Sequence, residues 1–326
     1  MFKKYIPHPT KREGFALALL AAEIILFSIF VPNFANPFNF VRVIQNNAEV
    51  AVISIGMTIV MLLGGIDLSV GAVMGVVAVV TGNMIQAGMN SVLVILAAAA
   101  IGVLVGAVNG FIIARMHIPD MLATLATGNV WKAVIFGLLG GKWLTGLRPS
   151  FRGITTVRVA GIPVLLFLVL IVYAVFYYIF MYRKYGRHIY AIGCNEPAAV
   201  LSGINVARVR FGSYCLAGAL AGLTGLLYIS RMGSVEMTIG TNTAIQCIAA
   251  VTIGGIGAKG SGSRGSVIGT LAGVFFIGFL KNGIVIMGIP SLLENFFVGM
   301  LMIICVLFDS ISAMRRSSAA AQKGAA

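Results

Sequence analysis

Long apolar runs separated by short polar connections are the feature that most constrains how this chain can fold. Only 10% of its 326 residues are charged and 59% are hydrophobic, whereas a soluble domain carries about 25% charged residues. A surface so poor in charge is suited to lipid rather than to water. The sequence therefore predicts an integral membrane protein, in which the 40 glycines allow helices to pack closely.

Each apolar run is long enough to predict one membrane-spanning helix, which needs about 17 to 25 residues. The first run follows basic residues, as in a signal peptide, but its length and the runs after it favour an uncleaved helix. We predict an all-α polytopic protein with about ten transmembrane helices. The predicted spans are residues 14–31, 46–63, 68–87, 92–114, 121–139, 163–182, 209–229, 243–257, 266–287 and 291–309.

The distribution of Lys and Arg predicts the orientation of these spans. An even number of spans puts both termini on one side, and the connections on that side hold most of the basic residues. Both termini are therefore predicted to be cytoplasmic. The predicted parts are a cytoplasmic N-terminus at 1–13, a transmembrane domain at 14–309 with a long cytoplasmic loop at 183–208, and a cytoplasmic tail at 310–326.

The net charge of +14 does not indicate nucleic acid, because the basic residues are scattered between apolar runs rather than clustered on one face. Four cysteines without CxxC spacing predict neither a disulfide framework nor a metal site. No HExxH, GxSxG or Walker A motif occurs, so we predict no catalytic residues and no ATP hydrolysis by this chain itself.

A weak internal repeat relates "IVMLLGGIDLSVGAVMG" (59–75) to "AAVTIGGIGAKGSGSRGSVIGTLAG" (249–273), since each has a glycine pair between two apolar helices. Glycine interruptions at matching places in two halves indicate a transport path, although glycine is common throughout this chain. The repeat predicts two weakly related halves. The residues assigned to the path or its helix breaks are Gly64, Gly65, Asp67, Ser69, Gly254 and Gly255.

Asp67 is the one acidic residue between Glu49 and Asp120. Asp67 and Ser69 are suitable N-cap residues for the following helix, and an acid at that end suits the helix dipole. A structural cap and a direct ligand for a transported solute are the two alternatives.

Five other ionisable residues lie in or near predicted spans and leave an ion-coupled carrier open as an alternative. Two of them, Glu49 and Glu294, lie near helix ends, where contact with headgroups or water is expected. Lys281 can snorkel or pair. The five residues are Glu23, Glu49, Lys132, Lys281 and Glu294.

The cytoplasmic loop contains "NEPAAVLSGI" (195–204), in which Asn195 is a good N-cap, Pro197 suits the first turn and Gly203 ends the helix. The pattern predicts a short helix at the inner membrane face. It fits an ordinary interfacial segment and a docking site for a cytoplasmic partner equally well.

The chain resembles, over essentially its whole length, the permease subunits of bacterial sugar ABC importers of the ribose type. The matching stretches are "IGMTIVMLLGGIDLSVGAVMG" (55–75), "LATLATG" (122–128), "GRHIYAIGCNEPAAVLSGINVARVR" (186–210), "IAAVTIGGIGAKGSGSRGSVIGTLAG" (248–273) and "NGIVIMGIP" (282–290).

The resemblance implies location in the bacterial inner membrane and a division of labour. A second permease chain, identical or paralogous, would complete the path, cytoplasmic ATPase subunits would bind the ATP, and a periplasmic binding protein would deliver the solute. This chain would need no cofactor of its own. The helix within 195–204 would be the coupling helix, with Gly193, Asn195, Glu196, Ala199, Ser202 and Gly203 in the ATPase groove.

Three residues depart from the family pattern. The family commonly has glycine at the position of Cys194, arginine at that of Val200 and phenylalanine at that of Asp120. These departures concern the fit between partners, and a heterodimer with a paralogous permease would be consistent with them.

The resemblance implies import by alternating access, with a path of small, weakly polar residues. "GGKWLTGL" (140–147) resembles autoinducer-2 permeases, so a pentose, a deoxyhexose and autoinducer-2 are the candidate solutes. An autonomous ion-coupled carrier and a membrane-embedded enzyme or scaffold are the other function classes. Candidate path residues, which could equally bond to backbone or to neighbouring helices, are Ser54, Thr58, Asn109, Thr124 and Thr127.

Overall fold

The computed structural model describes residues 11–147, 151, 155, 157–159, 161–257, 265–305 and 307. Most of the predicted N-terminus and all of the predicted C-terminal tail lie outside these residues. The helices, in chain order, are α1 Lys11–Phe30, α2 Pro37–Asn46, α3 Ala48–Leu62, α4 Val70–Gln86, α5 Ser91–Met116, α6 Asp120–Leu139, α7 Val164–Tyr182, α8 Lys184–Cys194, α9 Glu196–Leu201, α10 Val206–Met232, α11 Thr243–Ile253, α12 Val267–Ile286 and, after a 3-10 turn at Ser291–Leu293, α13 Glu294–Cys305.

The helices agree with a multi-pass membrane protein. Among the described residues, six helices are long and apolar enough to cross a membrane, and α2 with α3, bent by 47°, would form a seventh span. The helices α4, α11 and α13 are apolar but shorter. Each predicted span coincides with one of these elements, while the number of crossings and the side of the termini stay predictions.

Three elements are not predicted by the sequence patterns. Short helices α2 and α8 flank apolar helices, and their polar residues interrupt the apolar pattern that predicts a span. A pair of two-residue strands, β1 Arg158–Val159 and β2 Ile162–Pro163, forms an antiparallel hairpin between α6 and α7. The hairpin is a small addition to an otherwise helical architecture in the described part of the chain.

Helix α3 lies at the centre of the bundle. All of its residues except Val50 are buried, as expected for a helix that is apolar on every side. It packs against α10, α11, α12 and α7. At the "GGIDLSVG" segment, where α3 ends, Gly65 is buried within the protein while Gly64 is exposed.

Glycines bring α5 and α10 into close contact, and this is the most extensive helix pair in the bundle. Gly102 and Gly106 on α5 face Gly218 and Gly222 on α10, and both pairs have the four-residue spacing of small-xxx-small packing. A Cβ atom at any of these glycines would overlap backbone atoms of the other helix. The two helices can therefore approach this closely only without side chains at the contact.

We expect Gly106→Ala to lower the free energy of unfolding by about 1–3 kcal/mol, because the added methyl group overpacks a backbone contact. Gly137→Ala on α6 is the matched control, since an added Cβ there meets no atom within 4 Å. Denaturation of the purified proteins in detergent measures both changes. Equal stability of the two variants would contradict the close contact of α5 with α10.

Candidate functional site

The first helix break comprises Leu63–Ser69, between α3 and α4. Gly64 has a positive φ of 88°, which glycine adopts without strain. The Gly64 N–H donates to the Met61 carbonyl and the Gly65 N–H to the Val60 carbonyl, both at 3.1 Å. These are the two bonds of a Schellman motif. The first glycine therefore ends α3, and the chain turns without losing its backbone hydrogen bonds.

Asp67 satisfies donors within the break instead of capping α4. Its Oδ1 atom accepts hydrogen bonds from the Ser69 N–H at 2.8 Å and from the Ser69 hydroxyl at 2.6 Å. Ser69 occupies the N-cap position, as predicted, but makes no side-chain capping bond. The prediction that Asp67 caps the helix is thus wrong in its detail, because the carboxylate binds the residue before the first helical turn.

A buried polar chain joins the first helix break to α5 and α6. Thr127 on α6 donates to the Asn109 side-chain oxygen, and the Asn109 amide donates to the Ser69 hydroxyl, both at 2.7 Å. Since Ser69 donates in turn to Asp67, three successive donors point towards one carboxylate. All four side chains are buried, and Asp67 is only 3% exposed. In this conformation the carboxylate is a structural acceptor that lies away from solvent.

Thr124 on α6 provides a second connection to the same break. Its hydroxyl oxygen accepts the Leu68 N–H at 3.1 Å and its hydroxyl donates to the Asp120 carbonyl at 2.8 Å. The break thus receives side-chain partners for backbone groups that lipid could not satisfy.

The second helix break follows α11 and repeats this geometry. Gly255 has a φ of 99°. Its N–H donates to Thr252 at 3.0 Å, and the next N–H, of Ile256, donates to Val251 at 3.2 Å. This is again a Schellman motif, but Gly255 corresponds to Gly64, so the two glycine pairs are offset by one residue. Gly254 instead provides a close backbone contact with Gly269 of α12.

The two halves meet through Thr58 on α3 and Thr270 on α12, whose hydroxyls lie 2.7 Å apart. Thr58 also donates to the Ser54 carbonyl at 2.8 Å, and Ser54 lies beside Cys247 of α11. Asn109 and Thr127 belong to the polar chain and Thr124 to the second connection, so the candidate path residues all face neighbouring helices in this conformation.

Helices α8 and α9 form the predicted cytoplasmic segment. Asn195 caps α9 as predicted, since its side-chain oxygen accepts the Ala198 N–H at 3.1 Å. Gly203 ends the segment with a φ of 79°. On α8, the partly buried Tyr190 hydroxyl donates to the Gly265 carbonyl at 2.9 Å, and burial raises the pKa of Tyr190 to about 12. The segment is thereby held against the chain just before α12.

The predicted contact residues of this segment differ in accessibility. Ala199 is buried, at 3% exposed, and packs inward. Glu196 pairs with Arg210 of α10 at 2.9 Å. The most accessible apolar side chain on α9 is Leu201, which is 89% exposed, with Val200 beside it at 56%. Leu201 was missed because its helix is too short to show a periodic pattern.

Three of the five ionisable residues in or near the predicted spans, Glu49, Lys281 and Glu294, form ion pairs within the described chain. Glu49 is buried and forms an ion pair with Arg231 at the end of α10, so the expectation that it contacts headgroups or water is wrong. Lys281 pairs with Glu294 at 3.6 Å, one of the two outcomes predicted for it. Glu23 is partly buried, and neither carboxylate oxygen has a hydrogen-bond partner within the described chain.

Most of the chain matches the model of one protein family. A family model described as branched-chain amino acid transport system, permease component, matches residues 39–306. No solved structure gives a significant match.

Relatives resemble the chain over nearly their whole length. The ribose import permease protein RbsC of Escherichia coli strain K12 is 32% identical over 312 residues, which are 94% of this chain and 97% of the relative. RbsC of Bacillus subtilis strain 168 is 36% identical, covering 88% of this chain and 89% of its own. The autoinducer 2 import system permease protein LsrC of Yersinia enterocolitica is 28% identical, over 91% of this chain and 82% of the relative.

We expect Asp67→Ala to lower the free energy of unfolding by about 1–3 kcal/mol, because two buried donors on Ser69 lose their acceptor. Asp67→Asn is the matched control, since it keeps an acceptor oxygen at the same position. Thermal unfolding in detergent, with the amount of protein inserted in the membrane, measures both. An alanine variant as stable as the wild type would show that the Ser69 donors do not depend on this carboxylate.

Proposed function

The chain belongs to the family of branched-chain amino acid transport system permease components, and from this we propose that it is the membrane subunit of an ATP-driven importer for a sugar or sugar-like solute. The observation that carries the proposal is the similarity to ribose import permeases over 94% of this chain and 97% of the relative. As a permease of this family, it is a multi-pass protein of the bacterial inner membrane.

In the proposed complex, the chemical work is divided between chains. The sequence holds no Walker A motif, so ATP would be bound and hydrolysed by cytoplasmic ATPase subunits. A periplasmic solute-binding protein would deliver the solute. A second permease chain, identical or paralogous, would complete the path, and lipid-facing apolar residues such as Leu96, Leu104 and Ile171, which are exposed in the single chain, fit a membrane or subunit contact.

The chain would cross the membrane ten times with both termini in the cytoplasm. The apolar helices α4, α11 and α13 support this, because each coincides with a predicted span although it is short. Two of them, α4 and α11, adjoin the helix breaks, and the non-helical residues of each break would add to the length of the span. This arrangement puts α8 and α9 in the cytoplasm.

Helix α9 would dock into the ATPase. Its exposed apolar pair, Val200 and Leu201, supports this, because exposed apolar side chains on the proposed cytoplasmic surface are suited to a protein pocket. Asn195 and Gly203 would hold the shape of the helix from its two ends. The residues proposed for the ATPase groove, Gly193, Asn195, Glu196, Ala199, Ser202 and Gly203, would thus act partly by contact and partly by supporting that shape.

The two helix breaks would flank the translocation path. Each is a place where the backbone leaves the helix inside the bundle, and such interruptions are suited to binding and to hinge movement. Gly64, Gly65, Asp67 and Ser69 would form the first hinge, and Gly254 with Gly255 the second. Alternating access would arise as ATP-driven movement of α9 tilts the helices on both sides of these breaks.

The solute would be a pentose, a deoxyhexose or autoinducer-2. Relatives named as ribose and autoinducer 2 import permeases support the first and the last of these. The similarity to the ribose permeases is the higher, which favours a pentose.

An ion-coupled carrier is supported less well by the charges. Such a carrier needs titratable groups that can release an ion along the path. Glu49 is instead paired with Arg231, and Lys281 with Glu294.

Reconstitution tests the proposal directly. We expect proteoliposomes that contain the chain, a candidate ATPase and a candidate binding protein to take up D-ribose, L-fucose or autoinducer-2 only when ATP is present. The control omits the ATPase. Uptake by the chain alone, driven by a proton or sodium gradient, would exclude the ATP-driven importer.

Replacing the apolar side chain of α9 tests the docking surface. We expect Leu201→Ala to weaken binding of the ATPase about tenfold, because truncating an apolar anchor in a partner pocket costs about 1–2 kcal/mol. Leu292→Ala is the matched control, since Leu292 is equally exposed, at 88%, but lies on the opposite side of the proposed membrane. Affinity is measured with the purified ATPase in detergent, and equal affinities would rule out Leu201 as an anchor.

A further inference from the structure

Asp120, the first residue of α6, is a charged residue where the resemblance to sugar permeases predicts phenylalanine. Its carboxylate lies directly against the first helix break. A Cβ atom built on Gly65 would overlap the Asp120 Oδ2 atom and would lie 3.1 Å from the Tyr214 hydroxyl of α10. The absence of a side chain at Gly65 is therefore what gives the carboxylate room beside the break.

Arg210 on α10 connects this region with α9. Its Nη2 atom donates to Glu196, the first residue of α9, at 2.9 Å. The Nε atom of the same guanidinium is buried and makes no hydrogen bond within the described chain. One donor is thus left over for a second carboxylate.

Asp120 is the second acid in this region. The Asp120 carboxylate and the Tyr214 hydroxyl both lie at Gly65, and Tyr214 follows Arg210 by one turn of α10. In this conformation Arg210 forms its ion pair with Glu196, while its charge also acts on Asp120. Two carboxylates, one on α6 and one on α9, therefore lie around a single guanidinium on α10.

We propose that Asp120 and Glu196 share Arg210 as positioning residues, so that the charge on Arg210 links the docking helix α9 to the first helix break. This inference rests on the proposed function, because it assigns a consequence to movement of α9 by the ATPase. When Glu196 moves away with α9, Asp120 takes over the guanidinium, since a partly buried charge without a partner is costly. The carboxylate then leaves its position against Gly65, and the break is free to change shape.

If Asp120 and Glu196 share Arg210, a variant without the Asp120 charge should still hydrolyse ATP but take up less sugar for each ATP. We expect Asp120→Asn to lower the amount of sugar taken up per ATP hydrolysed about fivefold or more. Asp120→Glu, which keeps the charge, should restore most of this ratio. The experiment uses the full complex in proteoliposomes, with whichever of D-ribose, L-fucose and autoinducer-2 the wild type takes up, and measures uptake and phosphate release in parallel.

A double-mutant cycle tests whether the two residues act together. Arg210→Gln should lower the ratio as much as Asp120→Asn, and the double variant should lose no more than either single variant. Arg115→Gln is the matched control, because Arg115 ends α5 on the same proposed side and forms no ion pair within the described residues. It should keep the wild-type ratio.

Each other outcome overturns the inference. Asp120→Asn with the wild-type ratio, or single losses that multiply in the double variant, would show that the two residues act separately. If Asp120→Asn cannot be purified as a complex, Asp120→Glu should be recoverable, and failure of both would mean that packing rather than charge holds this position. A wild-type complex without ATP-dependent uptake would overturn the proposed function and this inference with it, whereas an active wild type with a normal Asp120→Asn ratio overturns the inference alone.

Discussion

The structure depends on one constraint, which is that backbone N–H and C=O groups away from water must find partners within the protein. Helices meet this constraint everywhere except at their ends, so a helix that stops inside the bundle needs a local solution. At the first break the solution is a Schellman motif at Gly64, an aspartate acceptor for the Ser69 N–H and a threonine acceptor for the Leu68 N–H. The break is thus built from specific polar groups and is more than a gap in the apolar pattern.

The same constraint explains why polar residues of different helices gather around the breaks. Asn109 on α5 and Thr127 on α6 are buried, and they satisfy each other and Ser69. Beside Gly65, the Asp120 carboxylate of α6 and the Tyr214 hydroxyl of α10 come together, and Gly106 of α5 packs against the backbone of Tyr214. Close packing and polar pairing are therefore two parts of one arrangement.

Features that depend on neighbouring residues in the chain were predicted well. The apolar runs coincide with the helices, the Asn195 cap and the Gly203 ending are present, and a helix break occurs at each glycine pair. Features that depend on contacts between distant segments were not predicted. The ion pair of Glu49 with Arg231 joins α3 to α10, and no local pattern in either segment indicates it. The one-residue offset between the two breaks was also missed, because either glycine of each pair could have ended the helix.

The sequence by itself determined that this chain is an apolar bundle of helices with two glycine breaks and a short capped helix between its halves. These properties follow from hydrophobicity, glycine conformation and capping, all of which act over a few residues. Only the tertiary structure decided that Asp67 binds Ser69 within the break, that Ala199 is buried while Leu201 is exposed, and that Asp120 lies against Gly65. The physical reason is that hydrogen bonds and ion pairs require atoms within a few ångströms, and which distant side chains come that close depends on how the helices pack.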